Sequence, residues 1–449
     1  MLSDTIAALA TPPGRSGIAL VRVSGSGAHE VAARIITSFA VAPLRTARLS
    51  PVAHPGDGEL LDESLYLTYR APASYTGEDM VEITTHGGLL VPAEVLGALL
   101  AAGARQATPG EFTRRAVANG KLDLLQAEAI ADLVDATAPA QRRAALHQLD
   151  RGLSGRIAAL REQVLELEAL VCYEIDFPEE DSGPVAPERI AAAAADARET
   201  IAALIGTAAD GERLREGALA VIAGRPNAGK SSLFNALLGS ERAIVTHIPG
   251  TTRDAIEAPA SCNGFPFRLI DTAGLRESED VVERLGVEVS RRYLSAADVV
   301  LFCAEAGREL AQGESEFLRE VTVPVVLVRT KSDLLGDSDH SAADSGVMVS
   351  AKTGDGVVQL RSALAEHVFT GMAGRGDIGP LVTRERHRVA LQRALEEVTR
   401  FEQARGEGLE TAVASTHLRA AVAALEDVIG LVTGEDVLGR VFESFCVGK

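Results

Sequence analysis

Apolar residues recur in the second quarter of the chain with the spacing of a packed helix. Between residues 157 and 171, and again between residues 190 and 204, they follow one another at alternating intervals of three and four positions. The members of these two stripes are Ile157, Leu160, Val164, Leu167, Val171, Ile190, Ala194, Ala197, Ile201 and Leu204. Such spacing gives a helix one apolar face. It predicts two long helices that contribute to a hydrophobic core.

Helical character returns near the C-terminus, after a glycine-rich segment at residues 371–379. The apolar residues that indicate it are Val389, Leu395, Val398, Phe401, Val413, Leu418, Val422, Leu425 and Ile429. Between the two helical regions, at roughly residues 216–370, the helical pattern stops. The simplest arrangement is one helical domain that is interrupted by an inserted domain of another kind.

The N-terminal 120 residues have a mixed pattern. Strand-like runs such as residues 17–23 are interspersed with helix-like runs such as residues 91–102, which predicts an independent α/β domain. Three segments between these runs are rich in glycine and polar residues, namely residues 12–15, 74–79 and 84–88. They are either ordinary turns or parts of a ligand pocket, and both interpretations stay open.

A P-loop follows the apolar run at residues 218–223 and precedes a helix-like run. Residues 224–232 read Gly-Arg-Pro-Asn-Ala-Gly-Lys-Ser-Ser. Its glycines let the backbone wrap a phosphate, Lys230 adds a positive charge, and Ser231 can ligate magnesium. The predicted phosphate-binding residues are Asn227, Ala228, Gly229, Lys230, Ser231 and Ser232. The strand–loop–helix order therefore indicates a nucleotide site rather than a simple turn.

Two segments downstream complete the nucleotide motifs. Asp271 to Gly274 follows a strand-like run, where a carboxylate can hold magnesium through water and a glycine N–H can sense the terminal phosphate. Asp333 ends a Thr-Lys-Ser-Asp segment, and its carboxylate can accept two hydrogen bonds from the N1–H and the exocyclic amine of guanine. Adenine offers no such pair, so the predicted nucleotide is GTP. The residues in these segments are Asp271, Thr272, Ala273, Gly274, Thr330, Lys331, Ser332 and Asp333.

The chain resembles the Ras-like GTPases in the order of these motifs, and by this resemblance Ser350, Ala351 and Lys352 complete the base pocket. It departs from the common Asn-Lys-x-Asp pattern because Thr330 stands where asparagine is usual. An asparagine amide can bridge the base and the P-loop, whereas a threonine hydroxyl reaches less far. We expect guanine selection to survive through Asp333.

Net charge and cysteine content argue against several classes of protein. A net charge of −19 argues against a generic nucleic-acid binder, so any RNA must meet a local basic patch. Candidate patches, or else solvated helix faces, are Arg114–Arg115, Arg142–Arg143 and residues 383–388. Four scattered cysteines indicate neither a disulfide framework nor a zinc site. With no signal-like N-terminus and no long apolar run, we expect a cytoplasmic protein that does not enter a membrane.

The chain closely resembles the MnmE (TrmE) family of tRNA modification GTPases over essentially its full length. The residues that carry the resemblance are the P-loop with Asn227, the Gly-Thr-Thr-Arg-Asp segment at residues 250–254, the N-terminal Thr-Pro-Pro-Gly-Arg loop and the terminal Cys-x-Gly-Lys. The resemblance implies an N-terminal α/β tetrahydrofolate-binding and dimerisation domain at residues 1–120. It also implies a discontinuous helical domain at residues 121–215 and 371–449, interrupted by a Ras-like P-loop GTPase domain at residues 216–370.

The resemblance further implies a function. The protein would be the GTP-hydrolysing subunit of a complex that adds an aminomethyl-type group, derived from a one-carbon donor, to C5 of the wobble uridine in certain tRNAs. It would act as a homodimer with an FAD-dependent partner protein similar to MnmG (GidA). The donor would be 5-formyl- or methylene-tetrahydrofolate, and the matching motif positions for its pocket are Arg22, Glu82, Lys121 and Lys449.

Cys446 has two open interpretations. Near a folate, its thiol could act as a nucleophile or general acid, but a buried cysteine in a terminal tail needs no catalytic role.

The chemistry of GTP cleavage requires a substitute for a missing side chain. Ras-like enzymes orient the attacking water with a glutamine, and Leu275 occupies that place here. The Asn227 carbonyl could instead ligate a potassium ion that bridges the phosphates. By resemblance, the loop Thr246, His247, Ile248, Pro249, Gly250, Thr251 and Thr252 would wrap that ion. Its predicted loop ligands are Thr246, Ile248 and Thr251, whereas Ser231 and Thr252 would hold magnesium.

Glu283 matches the catalytic glutamate of the family, which would orient the attacking water through a second water. Without that match, a glutamate on a helix after Asp271–Gly274 is usually a surface residue. Two other classes of protein share some of these motifs. A ribosome-assembly GTPase similar to Era or Der would lack the N-terminal domain and the Cys-x-Gly-Lys tail, and a nucleotide kinase is disfavoured by Asp333.

Overall fold

The computed structural model describes residues 4–41, 46–176, 185–239, 257–271, 293–335, 346–372, 378–431, 439, 441–443 and 445–448. The chain divides into two compact units. The first contains residues 1–131 and 426–449, and the second contains residues 132–425. The finer division at residues 120, 215 and 370 stays a prediction.

The first unit is built on a six-stranded sheet with the strand order β3-β4-β5-β2-β1-β6. Its elements in chain order are β1 (Ile6–Leu9), β2 (Gly14–Ser24), α1 (Ala28–Ala33), β3 (Arg48–Ala53), β4 (Leu60–Tyr69), β5 (Met80–Gly88), α2 (Leu90–Ala101), β6 (Arg105–Gln106), α3 (Glu111–Ala118) and the start of α4 (Leu124–Asp135). Neighbouring strands are antiparallel except β1 and β6, which are parallel. The mixed α/β domain predicted for this region is confirmed.

Side chains along β2 and β5 point alternately to the two faces of the sheet, and this alternation determines which residues meet on each face. In β2, Val21 and Val23 are fully buried in the core that includes residues of α2. Arg22 lies between them and therefore faces the other side of the sheet. In β5, Glu82 lies between two buried residues in the same way, and it pairs with Arg22 in the register of the two strands. The sheet thus brings these two charged residues together on the face opposite to α2.

Residues 84–88 are not the loop that the sequence suggested, because they form the last part of β5. Thr84 pairs with Leu20, and His86 with Ile18, on the neighbouring strand. Glycine is needed where the two backbones approach each other, since a Cβ on Gly87 would lie 2.1 Å from the carbonyl oxygen of Ser16. Gly87 therefore reflects close strand packing here. Residues 74–79 are indeed irregular.

The second unit combines helices with a six-stranded sheet of order β12-β11-β10-β7-β9-β8. Its elements are α5 (Pro139–Leu149), α6 (Gly152–Asp176), α7 (Pro187–Gly206), α8 (Ala208–Glu216), β7 (Ala218–Gly224), α9 (Lys230–Gly239), β8 (Glu257–Cys262), β9 (Phe265–Asp271), β10 (Val299–Glu305), α10 (Gln312–Glu320), β11 (Val325–Thr330), β12 (Val347–Met348), α11 (Val357–Val368), α12 (Glu385–Gly406) and α13 (Thr411–Ile429), whose last residues belong to the first unit. All neighbouring strands are parallel except β8 and β9.

The connectivity of this sheet predicts where a ligand binds. β7 lies between β10 and β9, so the chain winds in opposite directions on its two sides. Ligands bind at the carboxyl ends of the strands at such a switch point. The P-loop follows the carboxyl end of β7 and leads into α9. The predicted fold class, with a P-loop domain inserted between helical segments, is confirmed.

The two long helices predicted from the apolar stripes are α6 and α7, and all ten stripe residues are buried. The C-terminal stripes were less accurate. Val389 is 44% exposed and Val413 is 51% exposed, because alanines form part of the buried faces of α12 and α13 and these two valines lie outside those faces. In α12 these are Ala390 and Ala394, and small side chains allow closer packing of helices. None of the helices in the described part of the chain is long and apolar enough to span a membrane.

Candidate functional site

The P-loop depends on backbone conformations that its sequence allows. Gly224 has φ +140°, and a Cβ there would lie 2.4 Å from the carbonyl oxygen of Cys303 on β10. Asn227 and Gly229 have φ values of 63° and 83°, so both are left-handed. These conformations turn the chain tightly between β7 and α9. The N-terminus of α9 then directs its free N–H groups toward the loop, which favours an anion there.

Lys230 and Ser231 lie where a phosphate and its metal would be held. The Lys230 ammonium donates to the carbonyl oxygens of Gly224 (3.0 Å) and Arg225 (2.8 Å), so it lies across the loop. Ser231 Oγ donates to Asp271 Oδ2 at 2.7 Å. The hydroxyl and the carboxylate are hard oxygen ligands from two elements, and their separation is compatible with one magnesium coordination shell. Ser231 and Asp271, which were each predicted to hold magnesium, are therefore in hydrogen-bond contact, and their magnesium role stays a prediction.

Cys303 lies directly behind the P-loop, and the sequence interpretation missed it. Its side chain is fully buried, and burial raises the pKa of the thiol to about 12. The thiol therefore stays protonated at neutral pH and is a packing residue rather than a nucleophile. The sequence contained a sign of this packing role, because Cys303 lies in an apolar run that forms β10, the strand next to β7, which leads into the P-loop.

The predicted base pocket corresponds to a cavity of about 380 Å³ beside the P-loop. Lys331 begins the turn with a left-handed φ of 59°, and its ammonium pairs with Glu305, which lowers the pKa of that carboxyl. Ser350 Oγ donates to Asp333 Oδ1 at 2.7 Å and so fixes the carboxylate. The cavity is lined by Gly229, Ser232, Leu233, Thr330, Lys331, Asp333, Leu334, Val349, Ala351 and Lys352. Residues from both predicted base-binding segments, 330–333 and 350–352, thus meet residues of the P-loop in one place.

Thr330 joins the base pocket to the P-loop. Its side chain is buried, and its hydroxyl lies 2.7 Å from the carbonyl oxygen of Ala228 and 3.3 Å from that of Ala304. We expected threonine to reach less far than asparagine, but the link from this position to the P-loop is present. The close approach of the P-loop makes this possible, since a Cβ on Gly229 would lie only 3.5 Å from the Thr330 Cβ.

A second polar cluster lies in the first unit. The Arg22 guanidinium donates to Glu82 Oε1 from Nε (3.0 Å) and Nη2 (2.8 Å), and Tyr69 Oη donates to Glu82 Oε2 at 3.0 Å. Burial, followed by the charge of Glu82, raises the pKa of Tyr69 to about 12. The Arg22 guanidinium also lies 5.2 Å from the centre of the Tyr75 ring and 5.6 Å from that of Phe112. The sequence interpretation missed these three aromatic residues.

Residues 74–79 are anchored beside this cluster by hydrogen bonds from their neighbours. Thr76 Oγ1 lies 2.7 Å from Ser24 Oγ, and Asn119 Nδ2 donates to the Thr76 carbonyl at 2.7 Å. Lys121 Nζ donates to the carbonyl of Pro72 at 3.1 Å, so it lies at the start of the same loop. The loop therefore lies next to Arg22 and Lys121, and its interpretation as part of a ligand pocket stays a prediction.

Arg115, one of the candidate RNA contacts, has a different role. It is 1% exposed and donates to Asp4, Glu78 and Glu111. Burial raises the pKa of Glu111, but hydrogen bonds from Arg105, the Thr108 backbone and Arg115, together with the charge of Arg105, outweigh it and hold that pKa at about 2. The network links the N-terminus to the 74–79 loop, so Arg115 supports that loop and is not available to RNA.

The C-terminal tail packs on the first unit. Arg22 Nη1 donates to the carbonyl of Gly448 at 3.3 Å, and the Gly110 N–H donates to that of Cys446 at 3.4 Å. Gly448 has φ +97°, and a Cβ there would lie 2.3 Å from the carbonyl oxygen of Leu9. Cys446 is exposed. The tail therefore brings an accessible thiol to the part of the unit that holds the Arg22–Glu82 pair.

Several predicted residues lie outside the described part of the chain. They are Thr246, His247, Ile248, Pro249, Gly250, Thr251, Thr252, Thr272, Ala273, Gly274, Leu275, Glu283 and Lys449. Their roles stay predictions. Asn227, the remaining predicted potassium ligand, is exposed on the P-loop.

Comparison with known proteins agrees with these features. Two family models match: "GTP-binding protein TrmE N-terminus" at residues 5–121 and "MnmE helical domain" at residues 124–446. Two curated proteins named tRNA modification GTPase MnmE, from Heliobacterium modesticaldum and Moorella thermoacetica, are each 43% identical to this chain, with 100% of both chains covered. A solved structure of Era from Aquifex aeolicus bound to GDP.AlF4- matches 40% of this chain and 66% of that chain at 25% identity, with a TM-score of 0.27.

Proposed function

Because the chain belongs to the MnmE family of tRNA modification GTPases, we propose that it hydrolyses GTP and couples this reaction to the modification of tRNA. The observation that carries the proposal is the continuous site formed by the P-loop and the base pocket. Ser350 orients Asp333 in that pocket, and Thr330 links the pocket to the P-loop. Cytoplasmic localisation stays a prediction.

Different residues would bind the phosphates, the guanine base and the magnesium ion. Lys230 and the N–H groups at the start of α9 would hold the phosphates, and Asp333 would accept hydrogen bonds from the guanine edge. Ser231 and Asp271 fit a magnesium ion, with Thr252 as a further proposed ligand. Bound magnesium supplies positive charge to the phosphate oxygens. Ser231 and Asp271 would orient that charge, and the Lys230 ammonium would add to it from the loop.

Changing Asp333 should change which nucleotide the protein uses. With Asp333→Asn, the amide can donate to the carbonyl that xanthine carries in place of the exocyclic amine of guanine. We expect the preference for GTP over xanthosine triphosphate to shift by about 10- to 100-fold toward the latter. If hydrolysis drives tRNA modification, both activities should shift together. The measurements are phosphate release and mass spectrometry of tRNA nucleosides with each nucleotide in turn.

The control for this experiment is Asp196→Asn, which makes the same change at an exposed position of α7. It should retain the preference for GTP in both assays. An unchanged preference in Asp333→Asn would show that the base pocket is wrongly placed. A shift in hydrolysis without a shift in tRNA modification would show that the two reactions are not coupled.

We further propose that hydrolysis requires potassium. Asn227 is exposed on the P-loop with its backbone held left-handed, so its side-chain oxygen is accessible above the loop. Asn227, Thr246, Ile248 and Thr251 would hold the ion. A potassium ion supplies positive charge between phosphates, as an arginine finger does elsewhere.

GTP turnover should fall at least about tenfold when sodium replaces potassium at constant ionic strength. Asn227→Gly is the matched variant, because glycine tolerates the left-handed backbone and removes only the side chain. Its turnover should be low in both salts. Equal wild-type rates in potassium and sodium would rule out the bridging ion.

The polar cluster of the first unit suggests how the one-carbon donor binds. We propose that 5-formyl- or methylene-tetrahydrofolate occupies the region around Arg22, Glu82, Lys121 and Lys449, with Glu82 facing the pterin donors. The tail would place Cys446 beside it. The proposed product is an aminomethyl-type group on C5 of the wobble uridine, made by a homodimer with an FAD-dependent partner similar to MnmG. The anchored 74–79 loop and the packed tail support this part of the proposal.

A further inference from the structure

Thr330 bears on how the pocket recognises the base. A threonine hydroxyl has one hydrogen to donate. Both oxygens within reach of the Thr330 hydroxyl are carbonyls, those of Ala228 at 2.7 Å and Ala304 at 3.3 Å, and carbonyls only accept. The hydroxyl hydrogen is therefore used inside the protein, at a side chain that is 4% exposed.

Guanine presents only acceptors, N7 and O6, on the edge away from its Watson–Crick donors. To bind N7, a side chain must donate a hydrogen. An asparagine amide has two hydrogens, so it can serve the P-loop and the base together. Threonine can serve one of them, and in this structure it serves the P-loop.

We propose that residue 330 does not read guanine N7 and that this protein selects GTP through the Watson–Crick edge held by Asp333. The inference rests on the proposed GTP function and specifies how that site recognises its substrate. Thr330 is then a positioning residue, because it fixes the P-loop relative to the base pocket without contacting N7. The departure from asparagine becomes a change in base recognition and not only a change in affinity.

The test compares GDP with 7-deaza-GDP, in which a C–H replaces N7 and the Watson–Crick edge is unchanged. Equilibrium dissociation constants are measured with the full-length protein. We expect the wild type to bind the two nucleotides with constants that differ less than threefold. Thr330→Asn should prefer GDP by about five- to tenfold, since it restores one hydrogen-bond donor.

Thr330→Val separates positioning from recognition. Valine has a similar shape but cannot donate to Ala228, so both nucleotides should bind more weakly by a similar factor, and the ratio between them should remain below threefold. Inosine diphosphate, which lacks the exocyclic amine, should bind the wild type more weakly than 7-deaza-GDP does, because it loses a hydrogen bond to Asp333.

The affinities of the wild-type protein for GDP and 7-deaza-GDP test the inference by themselves, and no variant is needed for that test. A preference of threefold or more for GDP over 7-deaza-GDP would overturn it and leave the proposed GTPase function intact. A folded Thr330→Asn protein that shows no preference would overturn the inference that the departure from asparagine changes base recognition, because neither side chain at residue 330 would then reach N7. If the wild type bound neither nucleotide, the proposed GTP function would fail together with the inference.

Discussion

Replacing Glu283 with alanine is expected to lower the rate of GTP hydrolysis by about 100-fold or more, with little change in GTP affinity. Glu283 is proposed to orient the attacking water, so its loss removes a contact that matters in the transition state. Lys230, Ser231 and Asp333 would still bind the ground state. A fall in the catalytic rate without a matching fall in affinity is the signature of such a contact.

The measurements are single-turnover phosphate release and equilibrium binding of GTP. Glu188→Ala is the control, since it removes an exposed glutamate from the first turn of α7. That variant should match the wild type in both assays. A parallel loss of rate and affinity in Glu283→Ala would assign Glu283 to binding instead, and an unchanged rate would remove it from the mechanism.

The second large effect is expected at the tail, where Gly448→Ala should reduce tRNA modification at least about tenfold and leave GTP hydrolysis in place. The new Cβ would lie 2.3 Å from the Leu9 carbonyl oxygen and 2.9 Å from the Ala10 Cα, so the tail must move. Cys446 and Lys449 remain chemically intact in this variant. Deletion of residues 446–449 should abolish modification because the tail is proposed to complete the folate site, and GTP hydrolysis should persist because none of the four residues belongs to the nucleotide site.

Both activities are measured in the presence of the partner protein, tetrahydrofolate donor and tRNA. Val447→Ala is the matched control, since Val447 is 43% exposed and its truncation leaves the tail backbone free to pack. It should retain modification. Full modification without residues 446–449 would exclude Cys446 and Lys449 from the folate site. Loss of hydrolysis together with modification would mean that the tail acts on the whole protein.

Local motifs were predictable because their chemistry is contained in a few consecutive residues. The P-loop needs glycine at fixed positions and a strand and helix on either side, and the apolar runs that flank it indicated both. The stripes of α6 and α7 were predictable for a similar reason, since a helical period is visible in the sequence itself. Prediction failed where residue type is ambiguous. Glycines at residues 87 and 88 indicated a loop, but both lie in strand β5, where Gly87 allows a close approach to β2.

By itself, the sequence determined the order of the GTPase motifs, the prediction of guanine recognition by Asp333 and the resemblance to one family, because each depends on residue identity at short spacing. Only the tertiary structure decided the contacts between distant segments. In the folded chain, the Thr330 hydroxyl donates to the P-loop carbonyl of Ala228, which lies 102 positions away in the sequence. Likewise, Arg22 donates to the carbonyl of Gly448 in the tail, and these two residues are 426 positions apart in the sequence. Such contacts depend on how strands align and on the space left between backbones, which residue spacing along the chain does not encode.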